Sequence, residues 1–211
     1  MRFIRTLHPL DYSRYLSLQN RLRQHRRELL LFCEHPPTIT AGVTTNPENL
    51  LTDRDALHDL GIDYFDVKRG GDLTAHEPGQ CVIYPHVDIQ RRKIPVSHFF
   101  KSLAEITRDA LQIVWGIDTL YSDESPGLYL KSGEKIASLG IVFKSFFTSH
   151  GLAVNICNTK RTFDHIHPCG RRNLVIVTVR DLGGDPELLP EFIDLWRERF
   201  SGFMVARQPS D

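Results

Sequence analysis

The stretch KIASLGIVFK (135–144) is largely apolar on both faces when read with the two-residue period of a strand. Such a strand is expected to be buried on both sides. Any sheet it joins must therefore be covered above and below. Three other strand-like runs lie around it: GLYLK (127–131), HGLAVNI (150–156) and LVIVTVRD (174–181). Sequential strands of this kind, mixed with helices elsewhere, argue against a doubly wound sheet. The expected fold class is α+β, a mixed, mostly antiparallel sheet flanked by helices.

The rest of the chain supplies the covering elements. DYSRYLSLQNRLRQHRRE (11–28) places Tyr15, Leu18 and Leu22 at helical spacing, with Asp11 and Ser13 as caps. LLLFCEH (29–35) reads as a buried strand holding Cys33, and HPPTITAG (35–42) as a turn into an extended piece. TDRDALHDLG (52–61) predicts a capped helix that stops at Gly61, and IDYFDV (62–67) a strand. KRGGDLTAHEPGQ (68–80) reads as a glycine-rich loop. CVIYPHVDI (81–89) is strand-like, with Pro85 expected at an edge or a bend. SHFFKSLAEITRDALQIVWG (97–116) carries the stripe Phe99, Leu103, Ile106, Ala110 and Val114, with Ser97 as its cap and Gly116 as its end. PELLPEFIDLWRERFSGF (186–203) closes the chain as a helix whose start Pro190 limits. A single domain over residues 1–211 is expected.

Composition narrows the function. Lys plus Arg equals Asp plus Glu, 26 each, for a formal charge of zero. A general nucleic-acid binder is expected to be more basic. The four cysteines, Cys33, Cys81, Cys157 and Cys169, form no CxxC pair of a zinc knuckle or redox site. No apolar run reaches 18 residues, so neither a signal peptide nor a membrane span is expected. The expected setting is the cytoplasm, with reduced thiols.

Three places could carry chemistry. Paired glycines in KRGGDLTAHEPGQ free backbone N–H groups for a ligand, but neither a P-loop nor a dinucleotide fingerprint is present. Burial at the mouth of the 135–144 strand favours a neutral amine on Lys135, which is a base; a charged one would stabilise a neighbouring thiolate. Cys169 stands in HIHPCGRRN (165–173), where Pro168 and Gly170 suggest a turn and Arg171 and Arg172 add positive potential. An incidental thiol and a zinc site of His165, His167 and Cys169 remain open alternatives at this point. No GxSxG elbow supports a serine hydrolase.

Taken in order, EHPPTITAG (34–42), RGGDLTAHEPGQ (69–80), YPHVDI (84–89), GEKIASLGI (133–141), SHGLAVNI (149–156) and HPCG (167–170) resemble the lipoyl(octanoyl) transferases. The resemblance covers roughly residues 28 to 180. It implies the fold of the biotin/lipoate protein ligase catalytic domain. It also implies transfer of an octanoyl (lipoyl) group from octanoyl-acyl carrier protein to a lysine of a lipoyl domain. The acceptors implied are lipoyl domains of 2-oxoacid dehydrogenases or the glycine cleavage H protein. Cys169 would form the acyl-thioester and Lys135 activate it. The substrate site would comprise Arg69, Gly70, Gly71, Asp72, Leu73, Thr74, Ala75 and His76, then Ser138, Leu139 and Gly140, then Gly151, Leu152 and Ala153. No cofactor, metal, nucleic acid or membrane is implied.

Two residues depart from the family's TYHGPGQ. Ala75 replaces a tyrosine and is expected to widen or loosen the loop. Glu77 replaces a glycine; strain is expected if the site needs positive φ, and its carboxylate could repel an anionic donor. QRRK (90–93), KR (160–161) and RR (171–172) are candidate docking charges for acidic protein partners. Two rivals stand beside this reading: an amidotransferase that uses the same thiol but takes its acyl group from a lipoylated protein, and a non-catalytic binder of lipoyl domains, permitted by the altered glycine-rich loop.

Overall fold

The computed structural model describes residues 1–205. Its larger sheet holds β1 (Arg2–Arg5), β2 (Leu29–Cys33), β6 (Gln80–His86), β7 (Leu120–Ser122), β8 (Gly127–Tyr129), β9 (Lys135–Lys144) and β10 (Phe147–Asn155). Their spatial order is β1-β2-β6-β10-β9-β8-β7. A smaller sheet, in the order β4-β3-β5, holds β3 (Thr38–Ala41), β4 (Asp63–Asp66) and β5 (Leu73–His76). The β1–β2 and β3–β4 pairs are parallel and the other ladders antiparallel, as the α+β expectation required. The helices are α1 (Tyr12–Gln24), α2 (Arg54–Asp59), α3 (Val96–Trp115) and α4 (Leu189–Val205). Among the described residues no helix is long and apolar enough to cross a membrane.

Alternation along the strands decides what covers each face. Leu30 and Phe32 of β2 and Ile83 of β6 join Phe99, Leu103 and Ala110 of α3 and Phe192, Trp196 and Phe200 of α4 in the main core. Their neighbours Leu29, Leu31, Val82 and Tyr84 turn to the other face and meet Tyr12 and Tyr15 of α1. Burying a large apolar side chain of this kind contributes roughly 1.5–3 kcal/mol. The smaller sheet packs on α2 through Ile39, Leu57, Leu73 and Ala75.

Asp11 caps α1 by accepting from the N–H groups of Ser13 and Arg14, and Gly116 ends α3 in the left-handed region. Four local expectations change. Pro95, not Ser97, is the residue before α3, and no side chain caps that end. Pro85 sits in a central strand; this is possible because the β6–β10 ladder ends at Ile83, so the missing N–H at Pro85 breaks no bond there. Part of the expected loop, Leu73–His76, is a strand, because β3 offers it a full ladder. Residues 174–181 are not a strand and make only an isolated bridge between Ile176 and Lys135. The β9–β10 ladder stops at Ala137–Val154, and this segment fills the step left beyond it: Val177 N donates to Lys135 O, and Val179 N to Asn155 O.

Between α1 and the large sheet lies a cluster of buried rings. His35 Nδ1 donates to Leu10 O, so its Nε2 accepts from the Tyr84 hydroxyl at 2.8 Å. Tyr15 stacks on Tyr84 at 3.9 Å, and the Tyr12 hydroxyl hydrogen-bonds with His150 Nδ1. Burial lowers His35 and His86 to about 4 and His150 to about 3. The unfolded chain therefore takes up protons that the folded chain refuses. The stabilisation is complete above the ordinary histidine value, about 6.5. It is lost as pH falls from there toward 4. The urea midpoint is expected to drop steadily between pH 7 and pH 4.5, because each buried imidazole that stays neutral forfeits about 1.4 kcal/mol for every pH step below 6.5. A midpoint that stays flat across that interval would contradict the neutral, buried imidazoles.

Candidate active site

Lys135, the first residue of β9, is only 1% exposed. Its Nζ donates to Pro126 O at 3.3 Å, Ser125 Oγ at 3.5 Å and Cys169 Sγ at 3.1 Å, and lies 5.1 Å from the centre of the Tyr129 ring. None of the ion pairs among the described residues involves it. Gly127 of β8 makes the slot for this side chain. A Cβ there would fall 2.4 Å from Lys135 Cε and 2.9 Å from Nζ. Glycine inside a strand signals such a close approach, so the glycine that opens GLYLK is a clue to the slot that lies in the sequence itself.

Cys169 lies in the one-turn helix Pro168–Gly170 with φ 55 and ψ 26. The left-handed region costs a non-glycine residue on the order of 1–3 kcal/mol and persists only where its surroundings impose it. The turn is bonded to Asn49, which no sequence pattern marks. Asn49 O accepts from His167 N at 2.7 Å, and Asn49 Nδ2 donates to Asp72 Oδ2. Gly170 sits so close to this pair that a Cβ would lie 2.9 Å from Asp72 Oδ2. Asn49 thus links the turn to Asp72, and the pair packs against Gly170. His165 Nδ1 is engaged with Thr52 Oγ1 at 2.9 Å, and no group of three metal-ligating side chains occurs among the described residues.

The dyad opens on a cavity of about 240 Å³ between the two sheets. Ser138, Leu139 and Gly140 of β9 and Gly151, Leu152 and Ala153 of β10 line it, as do Arg69 to Thr74 and His76. Arg69 is held over Gly140 by Nη2 donating to Thr40 O at 2.6 Å and Nη1 to Gly70 O at 3.0 Å. Tyr12, Val82, Ser125 and Pro126 also line it from outside the quoted motifs, as do Tyr84 and His150, which lie within YPHVDI and SHGLAVNI but were not among the expected site residues. Ala75 does not: on β5 its side chain packs with Ile39, Leu57 and Phe163, away from the cavity. The small residue therefore leaves the cavity wall unchanged.

Glu77 also differs from expectation. Positive φ falls on Gly79 (φ +91), whose Cβ would meet Asn158 N at 2.7 Å, and Glu77 has no positive φ. The buried Glu77 carboxylate accepts from Asn158 Nδ2 at 3.0 Å, Thr162 N at 3.0 Å and Lys160 N. It is spent on the 158–162 loop and takes no part in lining the cavity. The candidate docking charges sort themselves as well. Arg91 and Arg92 pair with Glu28, and Lys160 with Asp181. Arg171 and Arg172, next to the thiol turn, are exposed and in none of the ion pairs of the described residues.

Residues 6–201 match the model of the lipoyl protein ligase A/B catalytic domain. The chain belongs to this family. It is 45% identical to the octanoyltransferase of Leptospira borgpetersenii serovar Hardjo-bovis, over 98% of this chain and 92% of that one. It is 36% identical to the octanoyltransferase of Methylococcus capsulatus, over 80% and 78%. In fold it is similar to a bipartite lipoate protein ligase from Thermoplasma acidophilum, solved in a study of that ligase and its E2 lipoyl domain. That match has a TM-score of 0.69 at 15% identity, over all of this chain and 85% of that one. The biotin/lipoate ligase fold implied by the motifs is thus the fold observed.

The slot at Gly127 can be tested directly. Gly127→Ala should push the Lys135 amine off the sulfur and slow iodoacetamide alkylation of Cys169 by roughly tenfold at neutral pH, read by peptide mass, while circular dichroism stays native. Unchanged alkylation in a folded variant would show that the amine does not depend on the slot.

Proposed function

We propose that the protein is an octanoyltransferase of protein lipoylation, working through an acyl-enzyme on Cys169. The observation that carries this reading is the 3.1 Å contact between Lys135 Nζ and Cys169 Sγ at the wall of the cavity. The octanoyltransferase relatives support the reaction class. The donor proposed is octanoyl-acyl carrier protein, and the acceptor a lysine of a lipoyl domain.

The steps follow from the dyad. Lys135 and Cys169 share one proton, as thiol and amine or as thiolate and ammonium. The sulfur attacks the thioester carbonyl carbon, a new C–S bond forms, and the carrier sulfur leaves with the proton from Lys135. The acceptor amine then attacks the acyl-cysteine. The C–S bond to Cys169 breaks, an amide forms, and the amine's proton returns to the dyad. Thioester exchange is nearly balanced and thioester-to-amide transfer runs downhill, so the chemistry needs no nucleotide. Residues Arg69 to Thr74, His76, Ser138 to Gly140 and Gly151 to Ala153 are proposed to hold the acyl group. Ala75, facing the core, acts only through β5 packing.

The test is a mass measurement. Incubation with octanoyl-acyl carrier protein should add one octanoyl group to the Cys169 peptide, and lipoyl domain should remove it. Cys169→Ala should abolish the adduct, and Lys135→Ala should slow its formation by at least about a hundredfold. An adduct seen only with an octanoylated protein as donor would favour the amidotransferase. Binding of lipoyl domain with no adduct from either donor would favour the binder. If Arg171 and Arg172 dock the acidic donor, raising salt from 50 to 300 mM should cut kcat/KM several-fold and leave kcat nearly constant. A salt-independent kcat/KM would remove those two arginines from docking.

A further inference from the structure

The register of the large sheet sets out a row of residues across the cavity floor. Gly127 of β8 pairs with Ser138 of β9, Ser138 with Ala153 of β10, and Ala153 with Val82 of β6. All four lie on the face that the cavity occupies, since the alternate residues Leu128, Ala137, Leu152 and Ile83 belong to the main core on the opposite side. The row begins under the reacting groups, because the Lys135 amine lies over Gly127. Its side chains are small until the last: hydrogen, hydroxymethyl, methyl, and finally the branched isopropyl of Val82. Val82 is fully buried yet lines the cavity. In the next row Gly140 pairs with Gly151, and Tyr84, two residues on from Val82 in β6, also lines the cavity.

The spacing gives this row a meaning. From Ser138 to Val82 is two strand spacings, roughly 10 Å, about the reach of an extended eight-carbon acyl chain. A trough floored by Ser138 and Ala153 admits such a chain, and the first bulky side chain in its path is Val82. We propose that Val82 is the residue that sets acyl-chain length in this protein, by closing the trough two strands beyond Ser138, where the chain leaves the reacting groups. The proposal rests on the acyl-cysteine reading and adds to it the position of the tail.

Two small substitutions move the stop in opposite directions. Val82→Ala removes two methyl groups and lengthens the trough, and Val82→Ile adds one and shortens it. Changes of this size are ordinarily tolerated in a packed core. The measurement is single-turnover acylation of Cys169 by carrier protein charged with six-, eight-, ten- or twelve-carbon acyl groups, read by intact mass. Because each buried methylene is worth roughly fourfold, Val82→Ala should raise the ten-to-eight-carbon rate ratio about tenfold, and Val82→Ile should raise the six-to-eight ratio by a similar factor. A rate ratio is insensitive to the fraction of protein that is folded. Ratios within about twofold of wild type in both variants, with Cys169 still acylated, would overturn the assignment of Val82 and leave the acyl-transfer reading standing. No adduct on wild-type Cys169 from any chain length would overturn that reading, and this assignment with it.

Discussion

A buried amine has to find partners for its hydrogens, and Lys135 Nζ finds Pro126 O, Ser125 Oγ and the sulfur of Cys169. Two of these are neutral oxygens and none is a carboxylate. A carboxylate partner would hold the proton on the amine and draw it away from the sulfur. Apart from the sulfur, only neutral oxygens stand beside it. The chemistry proposed for this protein depends on that choice of partners, and much of the surrounding structure serves to enforce it.

Enforcement comes from two directions. On the lysine side, a glycine in β8 opens space that any side chain would fill, so a long amine can lie flat against the sheet. On the cysteine side, a strained turn is bonded to Asn49, which in turn donates to Asp72 of the glycine-rich loop. The sequence motif marks Asp72 as part of a substrate site. Its carboxylate is spent on Asn49 and on Leu73 N, and it also walls the cavity. The loop is thus a lining that is also linked, through Asn49, to the cysteine turn.

The departures from the family pattern show how far residue-by-residue reading carries. Glu77 stands where a glycine is usual, which suggests strain and a stray charge. In the folded chain the glycine requirement is met at Gly79, and the carboxylate of Glu77 ties down the loop that leads to the cysteine turn. Ala75 suggests a wider pocket, yet strand alternation turns it toward Leu57 and Phe163. Residues 174–181 have the composition of a strand, but the edges of β9 are already taken beyond Lys135, and they can only fill a step in the sheet. In each case the local pattern is real, and the neighbour that decides the outcome lies far away in the chain.

The sequence by itself determined the α+β class, the major helices and most strands, and through the ordered motifs it pointed to Lys135 and Cys169, because periodicity, turn chemistry and ordered motifs are local properties. It could not show that Gly127 shelters Lys135, that Asn49 is bonded to the Cys169 turn, or that Ser138, Ala153 and Val82 form one row. Those relations join residues on different strands and loops, and only the pairing register brings them together. Strand pairing is a long-range choice made by the whole core at once, so the shape of the cavity belongs to the tertiary structure alone.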